Sequence, residues 1–292
     1  MPQLSRTNIE TFEFRRAGQV VEGAPLCGLT LLAAGSMRFR WNEKNPNREL
    51  LSSLETIVSS SGLTRGSAPN RDGKIVGSSP TMTHVITPVQ LDHTHIVYDV
   101  HEAGDTKDKI GDGIITTNRS LIPSITVADC MPLYLYDPQT GVFGIVHSGW
   151  KGTGIIADAI KLAEQNYGAR AENFCVILGP HIRACCYIVN EERAHWFAET
   201  FTPDCVTPLE PGVEVDWNTG GGALYRLSLE KANLAVLEKK GVPSQNIWIH
   251  PGCTCCTKVD GDYIYGSNRR ETKINKKPDA FTVQAAFIRN FR

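Results

Sequence analysis

The chain has 292 residues, with 30 Lys and Arg against 31 Asp and Glu and a formal net charge of −1 at pH 7. At 41% hydrophobic and 21% charged residues it has the composition of a folded globular protein, and it is long enough to bury a substantial core. A charge so near balance gives no electrostatic ground for a nucleic-acid or anionic-membrane partner. The opening MPQLSRTNIETFEFRR holds no apolar run of signal-peptide length, and no later stretch is long enough to span a bilayer. Nine cysteines, an odd number over a long chain, suit reduced thiols better than a secreted disulfide scaffold. The expectation is a soluble, cytoplasmic protein.

In chain order, Phe12, Phe14, Val20, Val21, Leu26, Leu29 and Leu31 alternate with polar residues, which predicts opening strands. After Asn47-Arg48, apolar residues at Leu50, Leu51, Leu54 and Ile57 repeat at helical spacing up to Gly62, and Thr64 to Asn70 reads as a loop. Strands are expected over 83–89 and 94–100, with Asp92-His93 between them, and 102–113 reads as a charged surface loop. From Ile125 to Thr153 three apolar runs follow one another, the first ending at Asp129-Cys130 and the third at His147, before a Trp150 bracketed by glycines. Helices are then predicted over 155–167, stopped by Gly168, over 191–200, and over 224–239 between Gly220-Gly221-Gly222 and Gly241. Short strands are expected at 174–178 and 247–249, and 263–265 and 281–288 close the chain. With no internal repeat and no linker, the reading is a single domain over 1–292. Its strands and helices interleave without a strict βαβ rhythm, so a mixed sheet covered by helices fits better than a doubly wound one.

Cys130 and His147 stand at the ends of two short strands that a turn can bring together, and strand ends are where α/β sheets gather chemistry. Thiolate and imidazole are favoured zinc ligands, and catalytic zinc uses three protein ligands with one position open. His93 is the natural third, with Asp92 beside it able to orient an imidazole. The same residues also suit a nucleophilic Cys130 activated by His147, with Asp129 or Asp92 as orienter. Equally, they suit plain burial; spacing alone does not separate these. His93-Thr94-His95 has the H-x-H form of copper sites, but eight histidines with one such pair cannot assemble a multicopper set. Cys253, Cys255 and Cys256, with Cys185-Cys186, give one C-x2-C pair and no second, so burial of small thiols is the preferred reading there. Arg48, Lys151, Arg183, Arg269 and Arg270 fall in loop-like segments suited to an anionic substrate. Lys151 draws attention because it precedes a helix N-terminus.

These residues resemble a known family. ADCMPLYLYDP and IVHSGWKGT are similar to the ADCxP and HAGWRG blocks of the bacterial YfiH-like laccase-domain family, which includes purine nucleoside phosphorylases and polyphenol oxidases. Asp112-Gly113-Ile114-Ile115-Thr116 resembles its DG(L/I)(V/I)T block, and Leu178 to Tyr187 its LGPxIGPCCYEV block. Cys253-Thr254 with Gly266-Ser267-Asn268-Arg269-Arg270 resembles its CT…SYRRD ending, and Asn47-Arg48 the start of its first helix. The resemblance implies a layered α/β/β/α fold with mixed sheets and a zinc ion held by His93, Cys130 and His147. In the block that supplies the first histidine, Asp92 and His95 remain possible under a shifted register. The chain departs from the pattern at Lys151, where Arg is usual, at Asn268, where Tyr is usual, and in lacking the TGR that follows RRD. The early GG(V/F)S block is reduced to Gly35-Ser36, and its preceding Arg is missing.

What the resemblance implies is a zinc-dependent enzyme of purine nucleosides. Its expected reactions are phosphorolysis of adenosine, inosine and methylthioadenosine, with adenosine deamination as a related activity. Arg48, Lys151 and Arg269 are the candidates for phosphate, and Trp150 or Tyr187 stack on the base or simply pack. The rival readings are a hydrolase of a UDP-muramoyl amino acid, a copper-dependent polyphenol oxidase, and a non-catalytic zinc-binding module. Nucleoside and phosphate are the expected partners; monomer and homodimer stay open.

Overall fold

The computed structural model describes residues 8–41, 84–210, 212–213, 215 and 222–290. The helix expected after Asn47, the loop over 64–70 and Arg48 lie outside the described residues.

Two mixed sheets form the centre. One orders five strands as Ile9–Glu13, Leu26–Thr30, Gln284–Arg289, Leu121–Val127 and Val85–Pro88. The other orders six as Ile247–Ile249, Cys175–Leu178, Met131–Tyr136, Phe143–Ser148, Gly113–Thr116 and Val97–Asp99. Antiparallel pairs dominate, but Val85–Pro88 runs parallel to Leu121–Val127, and Cys175–Leu178 runs parallel to Ile247–Ile249.

The near-continuous apolar runs of the central strands are explained by burial on both faces. In Met131–Tyr136, Tyr134 and Tyr136 point between the sheets, where they meet Phe12, Leu29 and Ile125. Leu133 and Leu135 point the other way, onto Ile155, Ile156, Ala159 and Ile160 of the Ile155–Tyr167 helix. Full burial of each such leucine is worth roughly 2 kcal/mol. On the outer face of the five-stranded sheet, Met37 and Phe39 cover Ile122, Ala285 and Phe287.

The Ile155–Tyr167 and Glu191–Thr200 helices coincide with their predicted spans, the first ending at Gly168 with φ 65° and the second capped by Asn190. The helix predicted from Leu224 begins later. Leu224–Leu227 is instead a strand between Ile188–Asn190 and Val206–Pro208, and the helix spans Leu229–Lys240. The cause is local: the Ser228 side chain accepts the Lys231 N–H as an N-cap, which fixes the start. A short helix, Asn268–Asn275, falls where none was predicted.

Candidate functional site

Pairing of Phe143–Ser148 with Met131–Tyr136 sets His147 opposite Pro132 and Ser148 opposite Met131, so the imidazole arrives beside Cys130. Gly149 makes this closeness possible. A Cβ there would stand 2.7 Å from Cys130 Sγ and 3.4 Å from His147 Cε1.

Asp112 organises the other wall. Its carboxylate is fully buried and accepts the N–H of His93 (2.8 Å), the N–H of Thr94, the Thr94 hydroxyl (3.0 Å) and the N–H of His95 (3.0 Å). This clamp holds His93 and His95 at φ 53° and 60°, a left-handed conformation uncommon for residues with side chains. Through its backbone carbonyl Asp112 also accepts the His147 N–H at 2.7 Å. One residue thus fixes both histidines.

His93 and His147 rings lie 5.1 Å apart between centroids. A side-chain ligand atom from each of His93, Asp112 and His147 falls within 4.8 Å of the others. Cys130 stands outside that set but lines the same pocket. His95 faces elsewhere: its Nε2 contacts the Lys151 carbonyl at 2.8 Å and its Nδ1 contacts Asp158 at 3.3 Å. Asp92 is exposed. Of the three residues open under the shifted register, His93 is the one beside His147.

Burial dominates the electrostatics of the thiol and the imidazole. Burial, with the Asp129 and Asp112 carboxylates nearby, pushes the Cys130 thiol up to about 12. Nucleophile and metal ligand alike act as the thiolate, so either role needs a cation beside the sulfur. Burial, and then the neighbouring His93, pull His147 down to about 4 against the opposing pull of Asp112, so its imidazole is neutral and free to donate a lone pair. His147 Nδ1 is buried without a hydrogen-bond partner and lies 3.8 Å from Asp112 Oδ1. An orphaned buried nitrogen costs about 1–3 kcal/mol, and a borderline-soft cation would relieve it. Two imidazoles and a thiol suit zinc, and also copper.

Asp129, at φ 77°, closes the pocket floor by accepting the Thr254 hydroxyl at 2.7 Å and the Arg269 N–H at 2.6 Å. Its carboxylate is therefore committed to structure rather than to orienting an imidazole.

The pocket has a volume of about 440 Å³ and carries four arginines: Arg38, Arg40, Arg193 and Arg269. Only Arg269 was expected. Arg38 and Arg40 follow Gly35-Ser36 in an alternating segment that buries Met37 and Phe39 and turns both arginines to the pocket, a period-2 signal readable in the sequence. Arg193 comes from the first turn of the Glu191–Thr200 helix and packs 4.1 Å from the Trp150 ring. Arg269 lies 5.6 Å from the Tyr187 ring and donates to the Ile188 carbonyl at 3.1 Å. Both aromatic side chains are thus engaged in positioning guanidinium groups. Lys151 lies outside the pocket lining; it is exposed, with Nζ 5.3 Å from the outer Trp150 ring. Asn268 and the acidic Asp279 complete the arginine-rich rim.

A family model described as multi-copper polyphenol oxidoreductase laccase matches residues 73–274. Over 172 residues the chain is 29% identical to a purine nucleoside phosphorylase, YlmD, of Geobacillus stearothermophilus, a match covering 58% of each protein. Over 179 residues it is 28% identical to adenosine deaminase RL5 of an unknown prokaryotic organism, covering 61% of this chain and 64% of that one. The chain thus matches little more than half the length of these relatives. The crystal structure of the Bacillus licheniformis hypothetical protein YfiH superposes with a TM-score of 0.69 at 20% identity, over 94% of this chain and 98% of that one. That likeness establishes the shared fold. Among the described residues, no helix is long and apolar enough to cross a membrane.

Proposed function

The chain belongs to the multi-copper polyphenol oxidoreductase laccase family, and we propose that within it this protein is a zinc-dependent enzyme of purine nucleosides. Its principal reaction is phosphorolysis of adenosine, inosine or methylthioadenosine. The observation that supports this best is the meeting of four guanidinium groups with a His/Cys/His set in one pocket of about 440 Å³. That volume falls within the usual range for small-molecule sites, roughly 300–1,000 Å³.

His93, Cys130 and His147 would hold the ion. When bound, it supplies Lewis acidity toward a phosphate oxygen or the purine ring. The remaining work falls to the chain itself. Arg193 and Arg269, held by Trp150 and Tyr187, receive phosphate through paired N–H donors. Arg38 and Arg40 close the opposite side. An oxygen of hydrogenphosphate then forms a bond to ribose C1′ as the C1′–N bond breaks, and the purine leaves with the proton that the phosphate gives up. Fixed guanidinium groups favour this by holding the anion against the reacting carbon.

Deamination is the second reading, favoured by the likeness to adenosine deaminase RL5. A multicopper phenol oxidase is disfavoured by the fate of its one H-x-H pair, since both His95 ring nitrogens are taken up outside the pocket.

The test is purified, metal-analysed protein incubated with adenosine, with and without inorganic phosphate. Phosphate-dependent release of adenine and ribose 1-phosphate is the expected result. Inosine formed without phosphate would move the assignment to deamination. Inactivity on every nucleoside, with cleavage of a UDP-muramoyl amino acid, would replace the proposal.

A further inference from the structure

Away from the pocket, the structure gathers cysteines that are far apart in sequence. The sulfur atoms of Cys185, Cys186, Cys253 and Cys256 all lie within 4.8 Å of one another. The fold brings them together as follows. Cys175–Leu178 and Ile247–Ile249 pair in parallel, so both strands deliver their following loops to the same edge of the six-stranded sheet. There His181 bridges to Cys253, and Thr254 donates to the His181 carbonyl at 3.0 Å. A tight turn over 184–186 lets the adjacent Cys185 and Cys186 reach the same point.

We propose that these four cysteines form a second metal site, distinct from the pocket, that takes one zinc ion as a tetrathiolate. Tetrahedral zinc with Zn–S bonds of about 2.3 Å sets its sulfurs about 3.8 Å apart. Cys185 and Cys256 already stand at 3.7 Å, far from the ~2.0 Å of a disulfide. Backbone donors are in place for the charge that ligation creates. The Cys253 sulfur accepts the Arg183 N–H at 3.4 Å and receives the N–H groups of Cys255 and Cys256. Such N–H donors steady a metal-bound thiolate. The loops are also braced from outside: Arg226 donates to the Cys185 carbonyl at 3.0 Å, and Arg270 to the carbonyls of Thr254 at 2.8 Å and Cys255 at 3.1 Å.

Binding is an exchange without redox chemistry. Four S–H bonds release four protons, four Zn–S bonds form, and the site carries a net charge of −2. The ion would tie the loop leading into Tyr187 to the loop bearing Thr254, the partner of Asp129, so it would stiffen two walls of the pocket from behind.

The experiment uses the full chain, purified without oxygen, in a Cys130→Ala, His147→Ala background so that zinc held by the pocket ligands does not contribute. Native mass spectrometry should show one bound zinc. Cobalt substitution should give the intense sulfur-to-metal charge-transfer absorption of a tetrathiolate. Adding Cys185→Ser and Cys256→Ser, both at exposed positions, should lower zinc affinity more than 100-fold while circular dichroism stays unchanged. Retention of parental affinity in that variant would overturn the proposal. So would a Cys185–Cys256 disulfide in the anaerobic peptide map of a zinc-free protein. Neither result bears on nucleoside turnover, so the two readings fail separately.

Discussion

Replacing Asp112 by Asn probes the clamp on which the candidate site depends. Asp112 Oδ2 accepts the N–H groups of Thr94 and His95 and the Thr94 hydroxyl, and Oδ1 accepts the His93 N–H. An asparagine carbonyl can serve only one of these groups of donors. Turned toward Thr94 and His95, it leaves its NH2 facing the His93 N–H, donor against donor, in a fully buried position. The lost charge-assisted bond and the unmet donors amount to about 2–4 kcal/mol. The left-handed conformations at His93 and His95 carry a further cost of about 1 kcal/mol each, which the intact clamp offsets. With the clamp weakened, the loop relaxes and His93 leaves His147, while the backbone bond from His147 to Asp112 remains. The expected outcome is zinc affinity at the pocket lowered about 10–100-fold, read by competition with a chromophoric chelator, together with a lower denaturation midpoint. D112N protein with wild-type affinity and midpoint would refute the assignment of Asp112 as the residue that positions His93.

Gly149→Ala should place a methyl group against Cys130 Sγ, so zinc content at the pocket falls below half while circular dichroism is unchanged; a full complement of zinc would show that the thiol has room to move. Arg193→Met should raise the KM for phosphate about 10–100-fold, the value of a charge-assisted contact. Lys151→Met should leave it within about twofold, because an exposed cation outside the pocket contributes little. The opposite ranking would place phosphate at the start of the Ile155–Tyr167 helix. His181 is buried with Nε2 unpartnered, and burial is the main cause of its descent from 6.5 to about 4. Between those values the unfolded chain binds a proton that the folded one refuses. This contribution to stability is therefore complete above pH 6.5 and falls as pH drops toward 4, by at most about 3 kcal/mol. His181→Gln should flatten the acid limb of the stability curve, leaving the part due to His147; an unchanged slope would show that His181 charges freely in the folded state.

The parts of the fold that could be read in advance are those fixed by local periodicity. Ile155, Ile156, Ala159, Ile160 and Ala163 form one buried face, and Gly168 stops the helix by adopting a positive φ, so both bounds of Ile155–Tyr167 are written in adjacent residues. Leu224–Leu227 was misread because four apolar-rich residues before a helix look like its first turn; only pairing with two distant strands makes them a strand. At the site, the nearness of His147 to Cys130 follows from two consecutive strands and a turn, which a sequence can suggest. The role of Asp112 could not be seen, since it depends on a buried carboxylate meeting backbone groups 17 to 19 residues away. The cysteine cluster was hidden for the same reason. Its two halves are brought into contact by a parallel strand pair, and no spacing rule within either half announces the other.

The position of Gln284–Arg289 in the middle of the five-stranded sheet has a consequence for how the protein is made. Before that strand emerges from the ribosome, Ile9–Glu13 with Leu26–Thr30 is one hairpin-like half, and Val85–Pro88 with Leu121–Val127 is another, with no strand of this sheet between them. Each half presents a bare strand edge, the kind of surface that recruits other chains. Gln284–Arg289 joins the halves, and the Asp129–Arg269 contact closes only when residue 269 is present. Assembly of the sheet therefore waits for residue 289 and is dominated by contacts of long sequence separation, which fold slowly. A nascent chain halted between residues 127 and 284 would carry two open edges, a natural client for chaperones that shield unpaired strands.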